Sequence, residues 1–323
     1  MIHGFINLHK PLTWTSHDCV ARVRRLLNTK KVGHGGTLDP LATGVLPLAV
    51  GRATRLLQYL PEEKTYRATI RFGVATSTDD LEGEALSKAS AAHLTRQTVE
   101  AFLPKFIGTL DQTPPMYSAI QVDGKRLYDL ARKGKEVEVP VRRVVIHTLT
   151  VEGWRRGEQP ELTLEVACGG GTYIRSLARD LGEAVGTGAT LAGLVRSRSS
   201  GFDISQSISL EALAQAIEQE TFEPSPAGES MMHLAAIALP PTLCRRWQLG
   251  QKLPLKDVNP HLTPQLKQAP PHTPVRVMDP TTDTFLGIGE FRPGLPTVID
   301  ETQTNADPTE QIFAPKRVFL PLG

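Results

Sequence analysis

The chain has 323 residues, 40% hydrophobic and 22% charged, an ordinary composition for a globular protein with one large core or two domains. A formal charge of +2 hides an asymmetry: residues 1–200 carry 27 Lys and Arg against 20 Asp and Glu (net +7), residues 201–323 carry 9 against 14 (net −5), so the first segment suits a polyanion better, though scattered solvated charge would give the same count. No apolar run spans a bilayer, the first ten residues are too short and broken for a secretory signal, and the isolated Cys19, Cys168 and Cys244 make no zinc set, so we expect a reduced, cytoplasmic protein without structural metal.

Gly4 to Leu8 predicts a short strand. Thr15 or Ser16 caps a helix running to about Asn28, with Val20, Val23 and Leu27 on one face and Arg22, Arg24 and Arg25 on the other. Lys30 and Lys31 carry that basic end into Gly33-His34-Gly35-Gly36-Thr37-Leu38-Asp39-Pro40. Its glycines permit positive φ or close approach of another backbone, and Pro40 steers Asp39 away from helical geometry. A catalytic aspartate could be presented this way. By composition alone, an ordinary surface loop is served equally well.

Val45 to Val50 reads as a strand, Thr54 to Leu60 as a short helix, and Thr65 to Phe72 as a strand with Tyr66, Ala68, Ile70 and Phe72 on one face. Thr76 to Asp80 is a polar connection, and a helix over Thr98 to Phe106 starts near the capping residue Thr95. Met116 to Val122 predicts a strand entering an Asp123-Gly124 turn, with a short helix over Leu127 to Arg132. Strands follow over Val141 to Trp154 and Glu161 to Cys168. Gly169-Gly170-Gly171 breaks the second, and Thr172 opens a helix with Ile174, Leu177, Ala178 and Leu181 on its apolar side. Without the regular alternation of a doubly wound fold, this predicts α+β with a mixed, mainly antiparallel sheet. Residues 218–230 are polar and proline-containing, a linker or exposed loop. Beyond them Arg276 to Asp279 and Phe285 to Phe291 predict a strand pair, with the proline-rich Val258 to Pro274 as an irregular insertion.

Several blocks, in order, resemble the motifs of the TruB family of pseudouridine synthases. Gly33 to Gly51 resembles the family's "GHxGxLDPxATG" string and its continuation, Lys64-Thr65-Tyr66 its "K-x-Y" segment, and Gly171-Thr172-Tyr173-Ile174-Arg175-Ser176 its "GTYIRS/T" motif. Lys10-Pro11-Leu12-Thr13-Trp14-Thr15-Ser16 resembles "KPxGxTS", with Thr13 where the pattern has glycine. Met116 to Ile120 and Gly124 to Tyr128 match "MYSAxxxxGxxLY", and Gly169-Gly170 replaces a polar or basic pair. The likeness is dense over residues 4–200 and loose beyond.

The resemblance implies a pseudouridine-synthase catalytic domain over residues 1–220 and a small β-rich PUA-like RNA-binding domain over residues 231–323. It implies that Asp39 is catalytic, attacking either C6 of the base or C1′ of the sugar. Tyr66 would stack on the target base and help remove its C5 proton, and Arg175 would pair with Asp39. His34 would help displace and hold the flipped nucleotide, Tyr173 would line the base pocket, and Lys10 would support the aspartate loop or a phosphate. Lys125 and Arg126 would contact RNA backbone, and Arg179 a phosphate or solvent. Read from their residue types, Tyr66 and Tyr173 also suit core packing, and His34 a loop-stabilising hydrogen bond. The implied reaction converts uridine 55 in the T loop of transfer RNA to pseudouridine by base flipping. It needs no cofactor, metal, guide RNA or protein partner, and a monomer suffices. A binding module that has lost catalysis is the competing class; a nucleotide-phosphate enzyme is disfavoured, since neither a Walker A run nor a Gly-x-Gly-x-x-Gly context is present.

Overall fold

The structure, a computed structural model, describes residues 2–118, 139–292 and 312–319, and the backbone of 121–122 and 125–126. Strands run over Gly4–Lys10 (β1), Val32–His34 (β2), Ala42–Val50 (β3), Lys64–Phe72 (β4), Val74–Thr76 (β5), Ala85–Lys88 (β6), Gly108–Gln112 (β7), Gln121–Val122 (β8), Lys125–Arg126 (β9), Arg142–Arg155 (β10), Glu161–Cys168 (β11), Ala189–Ser199 (β12) and Phe202–Asp203 (β13). Among the described residues, nine of them form one sheet in the order β1-β3-β12-β4-β11-β10-β7, with β2 on β3 and β13 on β12. Only the β3–β12 pairing is parallel, so the sheet is mixed and mainly antiparallel, as expected.

The alternation read in β4 is realised: Tyr66, Ala68, Ile70 and Phe72 are buried, and Arg67 is exposed on the opposite face. Burying a side chain such as Ile70 or Phe72 contributes roughly 1.5–3 kcal/mol. Covering this face is the Ile174–Ala184 helix, which buries Ile174, Leu177, Ala178 and Leu181 in the same core as Cys19, Val20 and Val23 of the Ser16–Leu26 helix. Thr15 caps the latter in a reciprocal box with Asp18. That helix stops short of Asn28, whose φ is +45°.

Other elements differ from expectation for local reasons. Residues 51–59 form a 3₁₀ helix, and the helix expected over 98–106 is two pieces, Arg96–Glu100 and the 3₁₀ turn Leu103–Phe106. Met116 to Ser118 are bends, not strand: Pro114 and Pro115 lack the N–H a ladder needs, and the Tyr117 carbonyl is taken by a side chain described below. β8 and β9 pair antiparallel on either side of residues 123–124. The helix expected over Leu127 to Arg132 lies outside the described residues. The strands β7 and β12 and the Leu210–Glu218 helix were not anticipated.

Towards the C-terminus, Ala236–Ala238 (β14), Leu253–Pro254 (β15), Pro274–Asp279 (β16), Thr284–Arg292 (β17) and Ile312–Val318 (β18) form a second sheet, ordered β14-β16-β17-β18-β15. Residues 258–274 are not an irregular insertion. Short helical turns there send Val258, Leu262 and Leu266 into a core centred on Trp247, stacked on Phe313 at 5.2 Å. Nor is 218–230 a free linker, because Ser225 exchanges backbone hydrogen bonds with Phe5 of β1 at 2.8 and 2.9 Å. Ala227 and Met231 continue into a third apolar cluster where Phe5, Ala49 and Leu56 meet Phe285 and Ile288 of the second sheet.

Candidate active site

Asp39 lies in the loop between β2 and β3, and buried side chains fix the backbone on both sides of it. Ser16 Oγ accepts from Leu38 N at 2.8 Å and donates to Leu38 O at 3.1 Å. The Lys10 ammonium, with no exposed surface, donates to the carbonyls of Trp14 (2.6 Å), Pro11 (2.9 Å) and Pro40 (3.4 Å). Thr13 N also donates to Pro40 O at 2.9 Å, and Thr13 reaches it with φ +70°. Thr13 thus occupies a left-handed position of the kind that favours glycine. Gly44, at φ +100°, is where β3 runs against β12; a Cβ there would collide with the Arg196 backbone.

The Asp39 side chain remains 37% exposed, and its Oδ2 is 2.9 Å from Arg175 Nη2. Arg175 is 7% exposed and donates to Thr78 O at 3.2 Å and Tyr117 O at 3.0 Å. Its Nη1 also lies 3.6 Å from Asp80 Oδ2. Asp80 is itself buried, its carboxylate accepting from Thr78 Oγ1 and Glu82 N. A rigid fork held from behind by one carboxylate and two carbonyls therefore presents one face to Asp39. Gln112 fixes the start of the helix that carries Arg175, accepting from Tyr173 N at 2.8 Å and donating to Tyr173 O at 3.0 Å.

Around this pair the surroundings are aromatic and cationic. Burial pushes the Tyr66 phenol up, opposed by the neighbouring Arg196 guanidinium. Burial likewise raises the Tyr173 phenol, and the charge of Asp39 acts on both rings. His34 closes β2, accepts from Gly36 N at 3.4 Å, and meets His17 edge-on with ring centroids 5.5 Å apart. Burial, then His17 and Arg196, lowers its pKa, so the imidazole is neutral near neutral pH. Lys10 and Lys64 are also lowered, in each case mainly by burial.

Of the alternatives open for Lys10 and Arg179, position favours support of the loop for the first and an anchored, partly exposed charge for the second. Lys10 lies under the loop and has no surface to offer a phosphate. Arg179, 24% exposed, is held by Asp79 at 2.8 Å, Asp180 at 2.8 Å and Thr113 O at 2.9 Å, so most of its donors are engaged within the protein. The side chains of Lys125 and Arg126 lie outside the described residues. Sequence reasoning missed Asp80, Ser16 as a loop anchor, and Arg196. For Asp80 a signal existed: consecutive Asp79 and Asp80 meet Arg179 and Arg175, which are one helical turn apart.

The description "TruB family pseudouridylate synthase (N terminal domain)" matches residues 24–174, and "tRNA pseudouridylate synthase B C-terminal domain" matches residues 175–240. A protein of Trichormus variabilis named tRNA pseudouridine synthase B is 52% identical over 294 residues, 91% of this chain and 96% of the relative. Its namesake from Synechocystis sp. is 59% identical over 256 residues, 79% of this chain and 86% of the relative. Among solved structures, an H/ACA RNP bound to a substrate RNA containing 2′-deoxyuridine includes a chain similar in fold, with TM-score 0.68 at 24% identity, covering 98% of this chain and 85% of that one. A Cbf5-Nop10-Gar1 complex includes another, with TM-score 0.66 at 26% identity, covering 89% and 78%. With a partly exposed aspartate backed by a buried arginine, a fold similar to these structures, and adjoining matches to the two family descriptions over residues 24–240, the chain belongs to the TruB family of pseudouridylate synthases.

Proposed function

We propose that this chain isomerises uridine 55 in the T loop of transfer RNA to pseudouridine, acting in the cytoplasm as a monomer, without cofactor, guide RNA or protein partner. The observation that carries the reading is the Asp39–Arg175 pair, an accessible carboxylate on an anchored loop with a buried cation behind it. The names of the close relatives support transfer RNA as substrate.

The reaction breaks the N1–C1′ bond, turns the detached uracil and joins C5 to C1′. C5 loses a proton and N1 gains one, so no redox or phosphate energy enters. Asp39 supplies the nucleophile, at C6 or C1′, and Arg175 fixes its orientation. Tyr66 offers a flat face to a flipped base, and its protonated phenol is a hydrogen-bonding group beside the C5 proton. Tyr173 completes the pocket, and His34, neutral, helps displace and hold the flipped nucleotide. Because a flipped T-loop base must leave its stack, recognition rests on the shape of the arm more than on base reading. The second sheet, as a PUA-like domain, extends the RNA-binding surface.

The test is incubation of purified protein with an unmodified transfer RNA transcript, mapping pseudouridine by carbodiimide labelling and primer extension, with Asp39→Asn alongside. A single T-loop stop with wild type, absent with the variant although RNA still binds, is the expected result. RNA binding without any stop from wild type would replace this reading with a binding module.

A further inference from the structure

β12 runs between β3 and β4, and its Arg196 stands opposite Gly44 on one side and Tyr66 on the other. The side chain is completely buried. Its Nε donates to Val45 O at 2.7 Å, Nη1 to Thr37 O at 3.2 Å and Nη2 to Gly36 O at 3.1 Å, and its charge acts on the phenol of Tyr66, its cross-strand neighbour. Gly36 and Thr37 precede Asp39 in its loop, and Val45 follows it. Among the described residues no carboxylate pairs with this cation; carbonyl dipoles alone offset its charge. Burying a charge in that way is costly, and an apolar side chain of similar volume would fill the space without the cost. What an apolar residue could not do is bond both flanks of the loop from a single planar group and set a charge beside the Tyr66 phenol.

We propose that Arg196 is a positioning residue for the isomerisation, locking the Asp39 loop and the Tyr66 ring into one frame so that nucleophile and stacking face keep a fixed separation as the base enters. This rests on the roles given above to Asp39 and Tyr66. Lysine keeps the charge but, as a point donor, does not span the three carbonyls.

The test uses the full chain with Arg196→Lys and Arg196→Met, measuring steady-state and single-turnover pseudouridine formation on a transfer RNA transcript. The Tyr66 phenol is titrated by fluorine NMR of 3-fluorotyrosine-labelled protein, with Tyr66→Phe assigning its line. Arg196→Lys should lower kcat by about a hundredfold, the scale of a misplaced catalytic group, while KM stays within about twofold. In Arg196→Met the Tyr66 line should titrate at higher pH than in wild type. The charges then acting on the phenol are those of Cys168 and Asp39, both of which raise it. A kcat for Arg196→Lys within about threefold of wild type, or a loss confined to KM, would overturn the proposal. An unmoved Tyr66 line would remove its phenol half. Should Arg196→Met not fold, Arg196→Lys decides through kcat. Asp39→Asn run in parallel separates the two readings: if it still isomerises, the site assignment fails, whereas an inactive Asp39→Asn beside an active Arg196→Lys defeats only the role of Arg196.

Discussion

Ser16→Ala separates loop positioning from plain stability. Ser16 is 1% exposed, and its hydroxyl makes two hydrogen bonds to one residue, accepting from Leu38 N at 2.8 Å and donating to Leu38 O at 3.1 Å. Alanine removes both and fits the space, so the cost is that of a buried N–H and C=O left without partners, about 2 kcal/mol. Leu38 directly precedes Asp39, and freeing its peptide by even ~1 Å would cost roughly a hundredfold in rate. The matched control is Thr15→Ala, one residue earlier, which removes the helix cap at a cost of about 1 kcal/mol without touching Leu38. Urea unfolding should show a lower midpoint at unchanged slope for both variants. Single-turnover pseudouridine formation should fall only for Ser16→Ala. Equal rates for the two variants would refute the argument that this hydroxyl places the aspartate.

Three further outcomes follow from local geometry. Gly44→Ala forces a Cβ into the Arg196 backbone at φ +100°, and should cost about 3 kcal/mol or more, read as lost soluble yield and a lower Tm. Thr13→Gly relieves a β-branched residue at φ +70° and should raise stability by up to about 1 kcal/mol in the same unfolding assay, with activity retained. In the second sheet, Glu290 is 1% exposed and bonded by Lys316 at 2.6 Å and Arg292 at 2.5 Å. Burial raises its pKa, but these bonds outweigh burial and hold it below the ordinary glutamate value of 4.5. The folded protein then binds fewer protons than the unfolded chain just below that pH. Its stabilisation is present above 4.5 and lost as pH falls through the folded value. Stability followed from about pH 6 to about pH 3 should therefore fall less steeply in Glu290→Gln than in wild type.

The residues that touch one another in the site were the most legible, because each sits in a motif of unusual composition: Asp39 among glycines, and Arg175 after Gly171-Thr172-Tyr173. β4 and β11 were legible because their alternation is unbroken. β12 hid for the opposite reason. Its register against β4 shifts between Leu191 and Gly193 and again between Arg196 and Arg198, so inward and outward positions do not alternate along the sequence. An arginine in such a stretch looks like a solvated residue, and only the paired strands reveal that Arg196 points into the loop. β7 is short, polar and at the sheet edge, where alternation carries little signal. Residues 258–274 looked irregular because their buried residues, Val258, Leu262 and Leu266, are spaced by short turns separated by prolines.

The place of β12 also bears on how the protein can be made. β3 and β4 are successive long strands in the chain, yet in the sheet they are separated by a strand that begins at Ala189. While a ribosome is still short of that point, both strands carry an open edge, and each can satisfy the other directly in a pairing the finished protein does not contain. Nascent chains must hold that slot open or reopen it, and a fragment cut before residue 189 should expose two sticky edges and lack the Arg196 that braces the Asp39 loop. The late strand also supplies the long-range contacts that make folding slow. Chaperone demand during synthesis should therefore peak before β12 emerges and fall once it is inserted.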